Sequence, residues 1–331
     1  MTDARAIPGK LFLAGEYAVL HGGPAAVLAV NRTLRATVVE VRDGDTGRID
    51  VPQWGLRLES PGEPPSEHDK VDPRERFIRR LVGAAIALAG VPWRAVLSAG
   101  AHDHDLLGRD LGLGTSAALS VAIARALLHH EPPDSPAVLD LALDAHQAVQ
   151  GARSSGADVA AAWAGCSIRY QRTGSAQPLA EPLRVPADGA PWPFAALFSG
   201  TSVRTGTAVQ SFDQASASDP AGCDRCLAAV NGATEAVLAA RDLQALLVSV
   251  DAAADALAGM ADWMGAPPPV PVPLRDAIRG AGAVIKSSGA VGGDCAVILA
   301  RDLAALDAAC NLAAAAGFEP LRDVQPLFDT G

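Results

Sequence analysis

The stretch Gly112-Leu113-Gly114-Thr115-Ser116-Ala117-Ala118 sets a glycine turn and two hydroxyls at the head of a helix that runs to about residue 130. That helix is apolar almost all the way round, so it belongs in an interior and not on a surface. Glycines let the backbone approach a ligand and adopt dihedrals that a side chain would forbid, so successive N–H groups can converge on one anion. Burial keeps the helix's positive N-terminal end from being screened by solvent. The stretch lacks the Gly-Lys-Ser/Thr ending of a P-loop and the Gly-x-Gly-x-x-Gly spacing of a dinucleotide site. By itself it reads equally as a phosphate cradle and as an ordinary strand-to-helix turn.

At 331 residues the chain exceeds what one core usually supports, which predicts two domains, and 49% apolar residues can fill both. A formal charge of −10 argues against non-specific binding to nucleic acid or to an anionic membrane. No stretch reads as an uninterrupted membrane span, and the first residues lack a signal-peptide layout, so the cytoplasm is the default expectation. The five cysteines, Cys166, Cys223, Cys226, Cys295 and Cys310, are scattered and odd in number, unlike a disulfide framework. Cys223-Asp-Arg-Cys226 is half of a zinc pattern without a second pair nearby, and reads as two incidental helix cysteines. Of 27 basic residues only Lys10, Lys70 and Lys286 are lysines, two of them beside glycine or serine stretches where a compact ammonium is of use.

Along the chain, residues 10–16 read as a strand entering a loop, and 24–30 and 33–41 as two further strands. Residues 42–72 read as a hairpin and loop. Pro73 opens an amphipathic helix that Gly90 closes, and 94–98 is a strand. His102-Asp103-His104-Asp105 reads as a surface loop. Helices are expected over 136–150 and up to Trp163, then a strand over 166–171. The proline- and glycine-rich residues 172–193 read as an interdomain linker, which divides the chain at 1–186 and 187–331. Beyond it come a strand at 194–198, helices near 204–217, 222–240 and 241–259, and a second glycine-rich loop over 286–295. A strand at 296–300, a helix over 302–316 and a short strand near 318–322 complete the reading.

Three separated features, Pro8-Gly9-Lys10-Leu11-Phe12-Leu13-Ala14-Gly15-Glu16-Tyr17, Gly112 to Ala118 and Ser288 to Cys295, together resemble the motifs of the GHMP small-molecule kinases over nearly the whole chain. The stretch from His146 to Gly165, with Gln147, Arg153, Ser155, Gly156 and Asp158, is most similar to the phosphomevalonate kinases of that family. In mevalonate kinases the Tyr17 position is usually His, and a magnesium-binding Glu is expected near Gln147. Thr115 in place of Ser and Val291 in place of Gly depart from the family pattern.

The resemblance implies an α+β fold, with an N-terminal nucleotide-binding domain, a C-terminal ferredoxin-like domain and the active site between them. It implies ATP and Mg²⁺ as cofactors and phosphomevalonate as acceptor, in a monomer or homodimer. Gly112, Leu113, Gly114, Thr115, Ser116 and Ala117 would hold the ATP phosphates, with the Ser116 hydroxyl directed at Mg²⁺ or at a phosphate oxygen. Lys10 and Asp158 would be catalytic. Glu16, Tyr17, Arg153, Ser155, Gly156, Arg204, Ser288, Gly289 and Ala290 would bind the acceptor. The alternatives are a kinase acting on mevalonate or another small alcohol, and a silent member of the family that binds ligand to regulate a partner.

Overall fold

The computed structural model describes residues 6–41, 47–59, 61, 70–100, 111–150, 154–172, 174, 178–184, 192–200, 205–289, 293 and 295–329. The chain forms two compact units, Met1–Gly9 with Asn31–Gly165, and Lys10–Val30 with Cys166–Gly331. Strands β1 (Ala6–Ala14) and β2 (Ala25–Glu40) pair with each other, and each contributes residues to both units. The sequence predicts two strands where β2 is one. No glycine or proline interrupts it, and the polar pair Asn31-Arg32 does not break an extended run.

In the first unit, β3 (Arg48–Val51) and β4 (Leu56–Glu59) make the predicted hairpin. Helix α1 (Pro73–Ala89) starts where its local signals say: the Asp72 side chain accepts from the Arg74 N–H at 2.7 Å, and Pro73 needs no partner for its nitrogen. It ends at Gly90, whose φ of 67° is the left-handed value that favours glycine. Strand β5 (Ala95–Gly100) runs parallel to β3 and antiparallel to residues 35–40 of β2. Helix α2 (Thr115–Leu127) is buried without interruption from Ala117 to Ala124, and packs against α1, α3 (Pro136–Gln150) and α4 (Ala157–Ala164). Arg125 closes that group: its guanidinium donates to the carbonyls of Pro133 and Trp163, both at 3.2 Å, the second lying in the last turn of α4, where a cation is favoured.

The second unit resumes with β6 (Ile168–Gln171), antiparallel to residues 25–27 of β2, and β7 (Leu179–Pro182), antiparallel to β6. Part of the stretch read as a linker is therefore strand. Next come β8 (Phe194–Phe198), α5 (Thr205–Ser218), α6 (Pro220–Ala239), α7 (Leu243–Trp263) and α8 (Val272–Gly280). Strands β9 (Ala283–Ser288) and β10 (Cys295–Ala300), helix α9 (Leu303–Ala315) and strands β11 (Glu319–Leu321) and β12 (Pro326–Leu327) follow. Strand β12 pairs with residues 29–30 of β2. Buried Ser167 fastens this corner, accepting from the Ala29 N–H at 3.1 Å and donating to the Leu327 carbonyl at 2.7 Å.

Strands β11, β8, β10 and β9 lie side by side in that order, every pair antiparallel. With helices between β8 and β9 and between β10 and β11, this is the ferredoxin-like arrangement. Ala195, Leu197, Ile285, Ala296 and Ile298 alternate along their strands to face Leu274 and Ile278 of α8 and Ala305, Ala309 and Ala313 of α9. Helix α7 packs along β9 as well. Every residue of β9 and β10 is buried, so neither strand shows the polar alternation of a half-exposed sheet. This corrects the reading of 286–295 as one loop, because Lys286, Ser287 and Ser288 are the last residues of β9. Helix α8 was not expected after the prolines at 267–273. Pro271 is its N-cap and Pro273 lies in its first turn, where a missing N–H costs nothing.

By length and composition α7 could cross a membrane. Here it buries Leu246, Val250, Leu257 and Met260 within the second unit, and its Asp251 and Asp255 carboxylates both accept from Arg279 of α8 at 2.8 Å.

Candidate functional site

The first unit holds the glycine turn. Gly112 and Gly114 have φ of 70° and 91°, and Gly114 is the N-cap of α2 without a side-chain acceptor of its own. The turn therefore delivers the first-turn amides of Thr115, Ser116 and Ala117 at the positive end of a buried helix, the arrangement that suits an anion. Leu113 and Ala117 are buried and anchor the turn on either side. The Ser120 hydroxyl donates to the Ser116 carbonyl at 2.9 Å within the same helix.

Helix α4 starts in the same way, on Gly156 with φ of 76° and no side-chain cap. Ser155 Oγ accepts from the Ala157 N–H at 3.3 Å, and Asp158 sits half-buried in the first turn, its Oδ1 accepting from the Val159 N–H at 3.0 Å. A carboxylate there is favoured by the helix dipole. The two segments share one side chain that the sequence reading did not single out. His146 of α3, only 3% exposed, places Nε2 at 3.4 Å from Ser116 Oγ and Nδ1 at 3.3 Å from Ser154 Oγ. A lone histidine on an apolar helix gives no sequence signal of such a bridge.

The second unit holds the other expected residues. Lys10 stands half-buried on β1, its ammonium 5.8 Å from the centroid of the Phe12 ring, and among the described residues it makes no ion pair. The Phe12 N–H donates to Ser288 Oγ at 2.6 Å, which ties β1 to the end of β9. After β1 the chain turns at Gly15 (φ 99°), where a Cβ would lie 2.4 Å from the Pro24 carbonyl oxygen. Tyr17 follows with φ 61° and ψ −51°, and the Ala18 N–H donates to the Glu16 carbonyl across it at 2.7 Å. This is the γ-turn with positive φ, a strained form for a bulky residue that costs about 1–3 kcal/mol. The Tyr17 ring offsets that cost by packing on Phe212, centroids 5.1 Å apart, in a buried cluster with Leu257 and Met260.

Glu16 and Lys286 form a buried ion pair, 4% and 1% exposed. Lys286 Nζ also donates to the Ser287 carbonyl at 2.7 Å, and Glu16 Oε1 accepts from the Gly289 N–H at 3.3 Å. The other carboxylate oxygen, Oε2, is buried with no partner among the described residues. The first motif is thus bonded to the entrance of the third through Glu16, Ser288 and Gly289. Sequence spacing gave no hint of this, since the two charges lie 270 residues apart.

Arg153, Arg204 and Ala290, and with them Val291, lie outside the described residues. So does His102-Asp103-His104-Asp105. Among the described residues no group of three or more His, Cys, Asp and Glu is placed to hold a metal. Cys223 and Cys226 are free thiols on α6, and burial pushes the Cys226 thiol above its ordinary range.

The GHMP kinases N terminal domain family matches residues 107–166, which contain both glycine-capped helix starts. Over 90% of both chains the sequence is 30% identical to a phosphomevalonate kinase of Streptomyces sp. (strain CL190). Over half of the chain and 49% of the relative it is 31% identical to a mevalonate kinase of Aeropyrum pernix. The fold matches that of Streptococcus pneumoniae phosphomevalonate kinase in complex with phosphomevalonate and AMPPNP, with a TM-score of 0.73, 19% identity, and coverage of 98% of this chain and 100% of that one. With a whole-length relative at that identity, and with the glycine turn and the Asp158 helix inside the matched domain, the chain belongs to the GHMP kinase family of small-molecule kinases.

Proposed function

We propose that the chain is an ATP- and Mg²⁺-dependent phosphomevalonate kinase, transferring the γ-phosphoryl group of ATP to the phosphate of phosphomevalonate to give diphosphomevalonate. The observation that carries this reading is the similarity to a phosphomevalonate kinase along nine-tenths of both chains, against half for the mevalonate kinase.

Phosphoryl transfer is mostly positioning and neutralisation of charge. The first-turn amides of α2, behind an N-cap glycine with no side chain to bond them, fit the ATP phosphates, and the Ser116 hydroxyl fits a magnesium or phosphate ligand. The Ser116 hydroxyl would help to hold Mg²⁺, which supplies positive charge against the ATP phosphates. A phosphate acceptor has its second pKa near about 6 and is largely ionised at neutral pH, so no strong base is needed to activate it. Lys10 then matters more than Asp158, because an ammonium offsets the repulsion of two anionic groups. Glu16 Oε2, buried without a partner among the described residues, would accept from a hydroxyl of the acceptor's carbon skeleton. Arg153 and Arg204 are the candidates for its phosphate.

The second reading, a kinase for mevalonate or another small alcohol, has support in the Aeropyrum relative. It reverses the order of importance, since an alcohol must lose a proton and Asp158 would take it. A coupled ADP-release assay across phosphomevalonate, mevalonate, homoserine and galactose tests both readings. Turnover of mevalonate with none of phosphomevalonate overturns the first. Lys10→Met is expected to lower kcat/KM more than Asp158→Asn, and the opposite order supports an alcohol acceptor.

A further inference from the structure

We propose that His146 is a positioning residue of the phosphate site: Nε2 accepts a hydrogen bond from the Ser116 hydroxyl, leaving both lone pairs of Ser116 Oγ for the ligand. This rests on the kinase reading above and extends it to a side chain that the resemblance gave no role.

A serine hydroxyl has one proton and two lone pairs, and a neutral imidazole has one N–H and one bare nitrogen. Among the described residues, Nε2 is the sole hydrogen-bond partner of the Ser116 hydroxyl, and Nδ1 binds Ser154. Two arrangements satisfy both serines. If Nδ1 carries the proton it donates to Ser154, Nε2 accepts from Ser116, and the Ser116 oxygen is presented bare. If Nε2 carries it, the Ser116 proton is free to point at a phosphate. The first-turn amides of α2 already supply N–H donors to an anion, so a further O–H donor adds little there. A bare oxygen adds what the amides cannot, a ligand for a cation carried on the phosphates. The geometry points to the Nδ1–H form. The two distances, 3.4 and 3.3 Å, are long for hydrogen bonds, and tightening on ligand binding is ordinary for such groups. The same ring holds Ser154, three residues before the α4 start at Ala157, so one side chain sets both the phosphate turn and the segment leading to Asp158.

The test is calorimetric titration of the full chain with AMPPNP, with Mg²⁺ present and with Mg²⁺ chelated, for wild type, His146→Gln and His146→Asn. The longer glutamine amide reaches the Nε2 position and the asparagine amide only the Nδ1 position. The tightening of AMPPNP binding by Mg²⁺ is therefore expected to survive in His146→Gln and to fall about tenfold in His146→Asn, the worth of one good hydrogen bond. Imidazole ¹⁵N spectra of wild type with Mg²⁺ and AMPPNP are expected to show a protonated Nδ1 and a bare Nε2. Equal Mg²⁺ dependence in all three proteins, or a protonated Nε2, overturns the proposal while the kinase reading stands. Wild type that fails to bind AMPPNP at all overturns both.

Discussion

Replacing Lys286 by methionine isolates the bond between the first and third motifs. The substitution keeps the length and much of the volume of the side chain and removes the ammonium, which donates to the Glu16 carboxylate and, at 2.7 Å, to the Ser287 carbonyl. What remains is a carboxylate 4% exposed whose Oε1, among the described residues, keeps only the Gly289 N–H at 3.3 Å and whose Oε2 has no partner among them. Removing one member of a buried pair costs about 3–5 kcal/mol, because the other charge is left uncompensated. Against a typical total of about 5–15 kcal/mol this is a large share of the stability. Hydrogen exchange of the β9 and β10 amides reads it inside the second unit, where the loss corresponds to exchange faster by about two to four powers of ten. Glu16→Leu combined with Lys286→Met removes both charges, and its exchange should return most of the way to wild type, since an apolar pair of similar volume is often as stable. Exchange of Lys286→Met within tenfold of wild type, or a double variant no better than the single, would refute the reasoning.

Gly15→Ala is expected to lose at least about 3 kcal/mol in urea unfolding, since its Cβ meets backbone of Pro24 and Ala25 at 2.4–2.6 Å and φ is 99°; a loss below 1 kcal/mol, roughly the scale of an ordinary surface change, would sink this. Ser167→Ala orphans the Ala29 N–H, so it should cost about 1–3 kcal/mol and speed exchange at residues 29–30 before it does so elsewhere. Asp219 is held below the usual carboxylate range first by the Gly222 N–H and then by the Trp263 indole. A depressed folded pKa contributes stability above the unfolded value of about 3.9, and that contribution is lost as pH falls through the lower folded value. Trp263→Phe removes the second cause, so the Asp219 carboxyl should titrate at higher pH by ¹³C NMR and the protein should be less stable just above pH 4; an unmoved midpoint counts against the indole bond.

The helices were legible because their signals are local. Pro136 and the apolar spacing after it predict 136–150, and α3 has those bounds, while Pro73 and Gly90 frame α1. The strands were less legible where both faces are buried. Lys286-Ser287-Ser288 reads as the start of the glycine-rich loop, because a charge and two hydroxyls are what loops carry, yet it ends β9. Their burial depends on partners far away in sequence: Glu16 for the Lys286 charge and the Phe12 N–H for Ser288. The glycine turn and the α4 start could be read from the chain because φ > 0 selects glycine at a fixed offset from the helix. His146 could not, since nothing in its neighbours on α3 tells a bridging imidazole from one that merely fills space.

Residues 10–30 belong with the second unit, and their partners are among the last made. Val30 waits for Pro326, and Phe12 for Ser288. At a synthesis rate of about 5–20 residues per second, the apolar strand Ala25-Ala-Val-Leu-Ala-Val30 spends roughly 15–60 s on the ribosome before its final neighbour exists. Its pairing with β1 is available from the start, but until β6 and β12 arrive the other edge stays open, and an open apolar edge is the kind of segment that seeks other chains. For this protein the interval between first and last partner is when aggregation competes with folding, and slower elongation would widen it.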